Sequence, residues 1–151
     1  MKKVLVFALI AMVGAASASA YTDEAGDYTA WNNGEGATTA FGNWTLNDGG
    51  GTGGSFLGNA GDQGANSATI NSANDTSFGL WSSAGSMEAY RSITQWADGY
   101  TFTAQLAYQF DGGAKGFTFA QGATELGYFT INATEFVWSG GSQATTAWGG
   151  L

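Results

Sequence analysis

The sequence predicts an all-β domain of antiparallel strands packed as a sandwich, and three observations carry that expectation. The 151 residues include 25 glycines and no proline, with 15% aromatic and only 11% charged residues. Such a composition suits strands and tight turns, whereas a helical protein would carry more Lys, Glu and Leu. From Tyr100 to Phe110, apolar Tyr100, Phe102, Ala104, Leu106, Tyr108 and Phe110 alternate with Thr101, Thr103, Gln105, Ala107 and Gln109. A period of two held over that length gives a strand with one buried and one polar face. Asp111-Gly112-Gly113 then supplies turn chemistry, and Lys115–Gln121, with Phe117 and Phe119 in alternation, reads as the returning strand of a hairpin.

The elements follow in chain order from an export signal. Lys2 and Lys3 form a short basic region, Val4 to about Val13 is apolar, and small residues lead to Ala18-Ser19-Ala20. This is the pattern of a cleavable secretory signal over residues 1–20, with cleavage expected between Ala20 and Tyr21. The apolar run is shorter than the roughly 20 residues a membrane-spanning helix needs. The sequence contains no cysteine, so the signal cannot be converted into a lipid anchor, and no integral membrane segment is expected after processing. Residues 21–151 are then expected to form one domain, large enough to bury a core without cross-links. With no thiol for a disulfide, its stability must come from packing, hydrogen bonds or an ion.

Phe41–Leu46 and Phe78–Trp81 read as short strands and Met87–Ile93 as a weaker one. Between the first two, residues 47–74 are dominated by Gly, Asn, Asp, Ser and Ala, with Phe56, Leu57 and Ile70 as the only large apolar residues. These three are expected to pin a short strand or two between long loops. In the segment Glu125–Trp138 the apolar residues change face between Ile131 and Phe136, which calls for a bend, a bulge or two strands. No internal repeat and no second domain boundary stand out.

The runs Phe41-Gly42-Asn43-Trp44-Thr45-Leu46, Gly53-Gly54-Ser55-Phe56-Leu57-Gly58, Ser77-Phe78-Gly79-Leu80-Trp81-Ser82 and Ala89-Tyr90-Arg91-Ser92 give the chain a likeness. It resembles the N-terminal part of a group of secreted bacterial surface proteins that often end in a PEP-CTERM sorting segment. The likeness covers roughly residues 41–130, through the strand at Thr101–Phe110. It implies a concanavalin-like or laminin-G-like β-sandwich, and the expected fold is accordingly an antiparallel sandwich of jelly-roll or concanavalin-like type. The chain departs from that group after Trp138, where the sequence to Leu151 holds no Pro-Glu-Pro, no apolar helix and no basic tail. Two expectations follow: free secretion, or a fragment whose sandwich lacks its last strands.

Charge and composition exclude a good deal of chemistry. Without residues 1–20, Arg91 and Lys115 stand against all twelve acids, a formal charge of −10. Two isolated cations cannot release counterions from phosphate, so nucleic acid is not an expected partner, nor is an anionic membrane surface. With no histidine and no cysteine, a Ser-His-Asp or Cys-His nucleophile cannot be built, and the usual zinc, copper and haem ligand sets are missing. Lys115, next to a Gly-Gly turn, reads as an exposed solubilising residue rather than as a catalytic base. Glycosidase chemistry needs two facing carboxylates. No strand presents two acids on one face, since Asp23 and Glu24 are adjacent and Glu125 and Glu135 lie ten apart.

The remaining candidates act by contact. Asp48, Asp62, Asp75 and Asp111, with neighbouring asparagines, offer oxygens of the kind calcium accepts, although turns need Asn, Asp and Gly in any case. Trp44 and Trp81, embedded in apolar strands, are expected in the core. Trp31 and Trp148, flanked by small and polar residues, are expected to be exposed and are the candidate glycan contacts. The sequence reading is thus an exported, non-enzymatic extracellular or cell-surface protein with polysaccharide or matrix components as partners. Its alternative is a self-assembling structural subunit, and a carboxylate glycosidase is the weaker third.

Overall fold

The computed structural model describes residues 3–14, 21–38, 40–65, 69–94, 100–109, 112–132, 135–140 and 144–147. Strands dominate them: β1 (Lys3–Gly14), β2 (Tyr21–Asp23), β3 (Thr45–Asn47), β4 (Thr52–Gly58), β5 (Ser77–Ala84), β6 (Glu88–Tyr90), β7 (Tyr100–Tyr108), β8 (Lys115–Gln121), β9 (Thr124–Ile131), β10 (Glu135–Ser139) and β11 (Ala144–Ala147). The only helical pieces among the described residues are two short 3-10 turns, Ala25–Asp27 and Ala73–Asp75. No helix there is long and apolar enough to cross a membrane. The protein is all-β, in small antiparallel sheets. It falls into two compact units, Met1–Gln109 and Phe110–Leu151.

The first unit is organised by its N-terminal run. Val4, Val6, Ile10 and Val13 are β-branched residues in an uninterrupted apolar stretch, a composition that favours extended backbone. β1 pairs antiparallel with β7 along one edge, from Leu5↔Tyr108 to Gly14↔Tyr100, with an irregularity between Ala8 and Ile10. Its other edge is shared by β5, from Lys3↔Ser82 to Phe7↔Phe78, and by β2, from Ile10↔Asp23 to Met12↔Tyr21. β4 extends the sheet beyond β5, and β3 pairs β6 in a separate two-stranded ribbon.

The glycine-rich stretch does pin a strand, and the cross-strand pairs show how. In the β4–β5 ladder, Gly54 stands opposite Trp81 and Phe56 opposite Gly79. A Cβ at Gly79 would lie 2.1 Å from the Phe56 ring, and one at Gly54 would lie 2.8 Å from the Trp81 indole nitrogen. Each aromatic therefore covers the bare backbone of a glycine across the ladder, giving a glycine strand the side-chain cover it lacks. Beyond β4, Ala60 and Ile70 are buried against Ala107 of β7, with Phe56 and Ala65 packed alongside. On the opposite face, Phe78 and Leu80 of β5 join Ala25, Trp31 and Trp44 in the larger core, backed by Leu46, Leu57 and Ala89.

These two clusters refine the reading of β7. Exposure alternates from Thr101 to Leu106 as its period predicts, but Ala107 and Tyr108 are both buried. The polar face is covered at that end because Ala60 and Ile70 lie on Ala107. Pairing through Phe7 aligns Leu106 with Phe78, on the core side. Leu106→Asp should therefore cost most of the domain's stability by placing an unpaired charge there, while exposed Gln105→Asp should change it by less than about 0.5 kcal/mol. Urea unfolding of the two variants checks this, and equal losses would refute the assigned faces.

The expected hairpin of Tyr100–Phe110 with Lys115–Gln121 is corrected. β7 takes β1 as its partner, and β8 takes β9 in the second unit, an antiparallel meander ordered β11-β10-β9-β8. A tight connection makes the β8–β9 pair: only Gly122 and Ala123 separate the two strands, and Gly122 adopts the positive φ of 59° that such a turn requires. Asp111 and Phe110 lie outside the described residues. Lys115 is also corrected, from exposed to 6% exposed, because its Nζ folds back to donate to the carbonyls of Gly112 and Gly113, both at 2.9 Å. The face change between Ile131 and Phe136 resolves into two strands, β9 and β10. Ladder register places Phe117, Phe129, Ile131, Phe136 and Trp138 on one face of this sheet.

Candidate functional site

The most highly organised polar cluster lies where the segment after β2 meets the end of β6. β2 delivers Asp23, whose side chain is 4% exposed, and the 3-10 turn Ala25–Asp27 swings Tyr28 back over it. The Tyr28 hydroxyl donates to Asp23 Oδ1 at 2.7 Å. From the other side, Arg91 follows β6 and points inward with only 4% of its side chain exposed. Its Nη1 donates to Asp23 Oδ2 and, at 3.3 Å, to the Tyr28 hydroxyl. Its Nε donates to the Gly42 carbonyl at 2.9 Å, and Nη2 donates to the Gly36 carbonyl. The guanidinium lies over two rings, 4.7 Å from the Phe41 centroid and 4.6 Å from that of Trp44. Only a planar, forked cation can meet a carboxylate, two carbonyls and two ring faces at once.

Burial dominates the electrostatics. It pushes the Asp23 carboxyl above its ordinary 3.8, against the lowering influence of the Tyr28 hydroxyl and the Arg91 charge. Burial, and then donation to Asp23, likewise raises the Tyr28 phenol above 10.0. A group with a raised folded-state pKa contributes its stability at low pH. Asp23's share is complete below 3.8 and falls away as pH rises through the higher folded value. Tyr28's share is complete below 10.0 and is lost as alkali passes its folded value. Thermal unfolding should therefore show no loss of stability between pH 7 and about pH 5, and a steep fall above pH 10. Tyr28→Phe should flatten the alkaline limb, and an unchanged limb would rule out this account.

Beside the cluster opens a cleft of ≈ 330 Å³ lined by Thr22, Asp23, Asp27, Tyr28, Glu35 and Thr38, among others. Asp27 and Thr38 are exposed. Glu35 accepts from the backbone and side-chain amides of Asn32. The lining thus offers carboxylate and hydroxyl groups, with Asp23, Asp27 and Glu35 as its acids.

The residues singled out from sequence are placed differently. Trp31 is a correction: it is 5% exposed, 5.3 Å from Trp44 and 4.8 Å from Phe78 by ring centroid. Its polar neighbours Asn32 and Asn33 stay at the surface while the ring turns into the core, so it is no surface contact. Trp44 is in the core as expected, at 8% exposure, and Trp81 is half-buried over Gly54. Trp148 lies outside the described residues. Among the described tryptophans the exposed one is Trp138, at 43%.

The described calcium candidates are turn residues, Asp48 in one arrangement and Asp62 and Asp75 joined through Asn59 in another. Asp48 Oδ1 accepts from Gly50 N within the loop before β4. Asp75 accepts from the side-chain amides of Asn59 and Asn71, and Asn59 in turn caps the Asp62 backbone N–H at 3.1 Å. Asp75 and Asn74 hold positive φ of 56° and 63°, which Asp and Asn tolerate better than other side-chain-bearing residues. Among the described residues, no three acids approach closely enough to hold a metal ion. Asp111 lies outside them.

Sequence reasoning missed Asp23, Tyr28 and Arg91 as a unit. One signal was present: Arg91 is the only arginine in the chain, and it lies inside the weaker strand segment Met87–Ile93. Comparisons with family models, with curated proteins and with solved structures gave no match.

Proposed function

We propose that the chain is an exported, non-catalytic protein of jelly-roll or concanavalin-like type that works outside the cytoplasm by contact, with polysaccharide as its ligand class. The export signal over residues 1–20, cleaved between Ala20 and Tyr21, supports the location. One observation carries the ligand: the open cleft lined by Thr22, Thr29 and Thr38 together with Asp27, Glu35 and Tyr28. Such groups both accept from and donate to sugar hydroxyls. The buried acid and the single arginine are engaged with each other, which supports a binding reading over a catalytic one.

A second reading, a self-assembling matrix subunit, is favoured by the strand edges that β4 and β8 present at the ends of their sheets. The two readings part on size and binding. The exported protein, its N-terminus within a couple of residues of Tyr21, should scatter light as a monomer with or without millimolar calcium. It should give a saturable response to a member of a polysaccharide panel, weakened in Asp27→Ala. Calcium-dependent growth without polysaccharide binding would overturn the glycan reading in favour of the structural one, because calcium would be screening the −10 charge.

A further inference from the structure

The run that reads as an export signal is also the middle strand of the first unit's sheet, and both roles cannot persist after processing. β1 satisfies the ladder groups of β7 along one edge and those of β5 and β2 along the other. Its removal would leave unpaired backbone donors and acceptors on both sides of the vacated position, a costly state for buried backbone. Strands in a sheet lie about 4.8 Å apart, so the walls β5 and β7 would stand about 9.6 Å from each other.

Closing that gap is disfavoured for two reasons. Both β5 and β7 run antiparallel to β1, so they are parallel to each other, and joining them would insert a parallel pair, slightly less stable per residue, into an antiparallel sheet. Each wall is also fastened by contacts that do not involve β1. β7 is held by Ala107 against Ala60 and Ile70, β5 by its ladder with β4, and β2 by the bond of Asp23 to Arg91. Every other described strand is already paired within its own sheet and would have to leave or carry its partner to move in.

We infer that the processed protein is a strand acceptor: the position vacated by β1 binds an extended strand of another polypeptide, antiparallel to β5 and β7. This rests on the proposed cleavage after Ala20. The occupant's chemistry is read from the strand that fills the position now. It spans at least nine residues and is apolar, with β-branched residues; it is uncharged along its length, or basic at its start as at Lys3, which suits a strongly acidic acceptor. Main-chain ladders supply the affinity, and the alternating side chains supply the selectivity.

The test uses the full chain, with residues 15–20 replaced by a specific protease site and cut after folding. A labelled peptide of the sequence Met1–Gly14 is added to the nicked protein in excess. The expected result is exchange of the labelled peptide into the protein, saturable at one per chain. A peptide carrying Phe7→Pro should bind roughly tenfold or more weakly, because proline removes a donor at the residue paired with both Phe78 and Leu106.

Release of β1 without exchange, with amide-hydrogen protection retained across β5 and β7, would mean that the gap closes and would overturn the inference. Unfolding of the remainder on release would overturn it equally, since an acceptor must keep its walls. Failure of export processing is read separately, from the N-terminus of the exported protein. The nicking experiment does not depend on that result.

Discussion

Replacing Arg91 with alanine should destabilise the first unit by about 3–5 kcal/mol, a large part of the stability of a typical domain. The loss has little to do with surface ion pairing, which is worth about 1 kcal/mol or less. It arises because Asp23 would remain 4% exposed with its counter-charge gone, while the Gly36 and Gly42 carbonyls and the faces of Phe41 and Trp44 lose their partner. Three controls separate these causes. The Asp23 carboxyl is already raised by burial, so the variant can relieve the strain by protonating, and its deficit should shrink between pH 7 and pH 5. Asp23→Asn combined with Arg91→Ala should be less destabilised than the sum of the two single changes. Arg91→Lys should not rescue, because an ammonium cannot reach the carboxylate and both carbonyls from one position. Urea unfolding at both pH values measures all of this. A loss below about 1 kcal/mol would show that the cluster is not held as described.

What was legible in the sequence followed the pattern of period two. β7 alternates as read, and the pair β9 and β10 emerges where the apolar residues change face. Phe56, Leu57 and Ile70 do anchor the glycine-rich stretch. Pairing was not legible, because alternation describes one strand's two faces and says nothing of which edge it meets. Asp111-Gly112-Gly113 looked like a hairpin turn, yet the shorter connection at Gly122-Ala123 joins β8 to β9. The placement of Trp31 failed for a related reason: flanking residues report on the backbone's exposure, and a large ring can turn away from it. The Arg91 cluster unites positions 23, 28, 36, 42 and 91, separations at which no local pattern operates. The apolar run at residues 4–13 reads as the core of an export signal, and its β-branched residues, which equally favour extended backbone, form β1.

Phe78→Ala should have the other large effect, about 3–5 kcal/mol, because it empties the centre of an aromatic cluster. Phe78 is 4% exposed, and its ring lies 5.2 Å from Tyr28 in an edge-on arrangement, 4.8 Å from Trp31 and 5.6 Å from Trp44. Removing it withdraws a contact from each of three rings as well as its own buried area, and the void cannot collapse readily. Trp31 and Trp44 are braced against each other at 83°, and Trp44 also lies beneath the Arg91 guanidinium. The disturbance should therefore travel to the polar cluster. Two measurements follow from that arrangement: Phe78→Ala should lower stability by the amount given, and it should redshift the tryptophan emission as Trp31 and Trp44 gain access to water. Phe78→Leu, which keeps most of the volume, should recover well over half of the loss. If Phe78→Ala instead left the emission unchanged while lowering stability, Trp31 and Trp44 would not share a core with Phe78. The correction of Trp31 from surface contact to core residue would then fail with it.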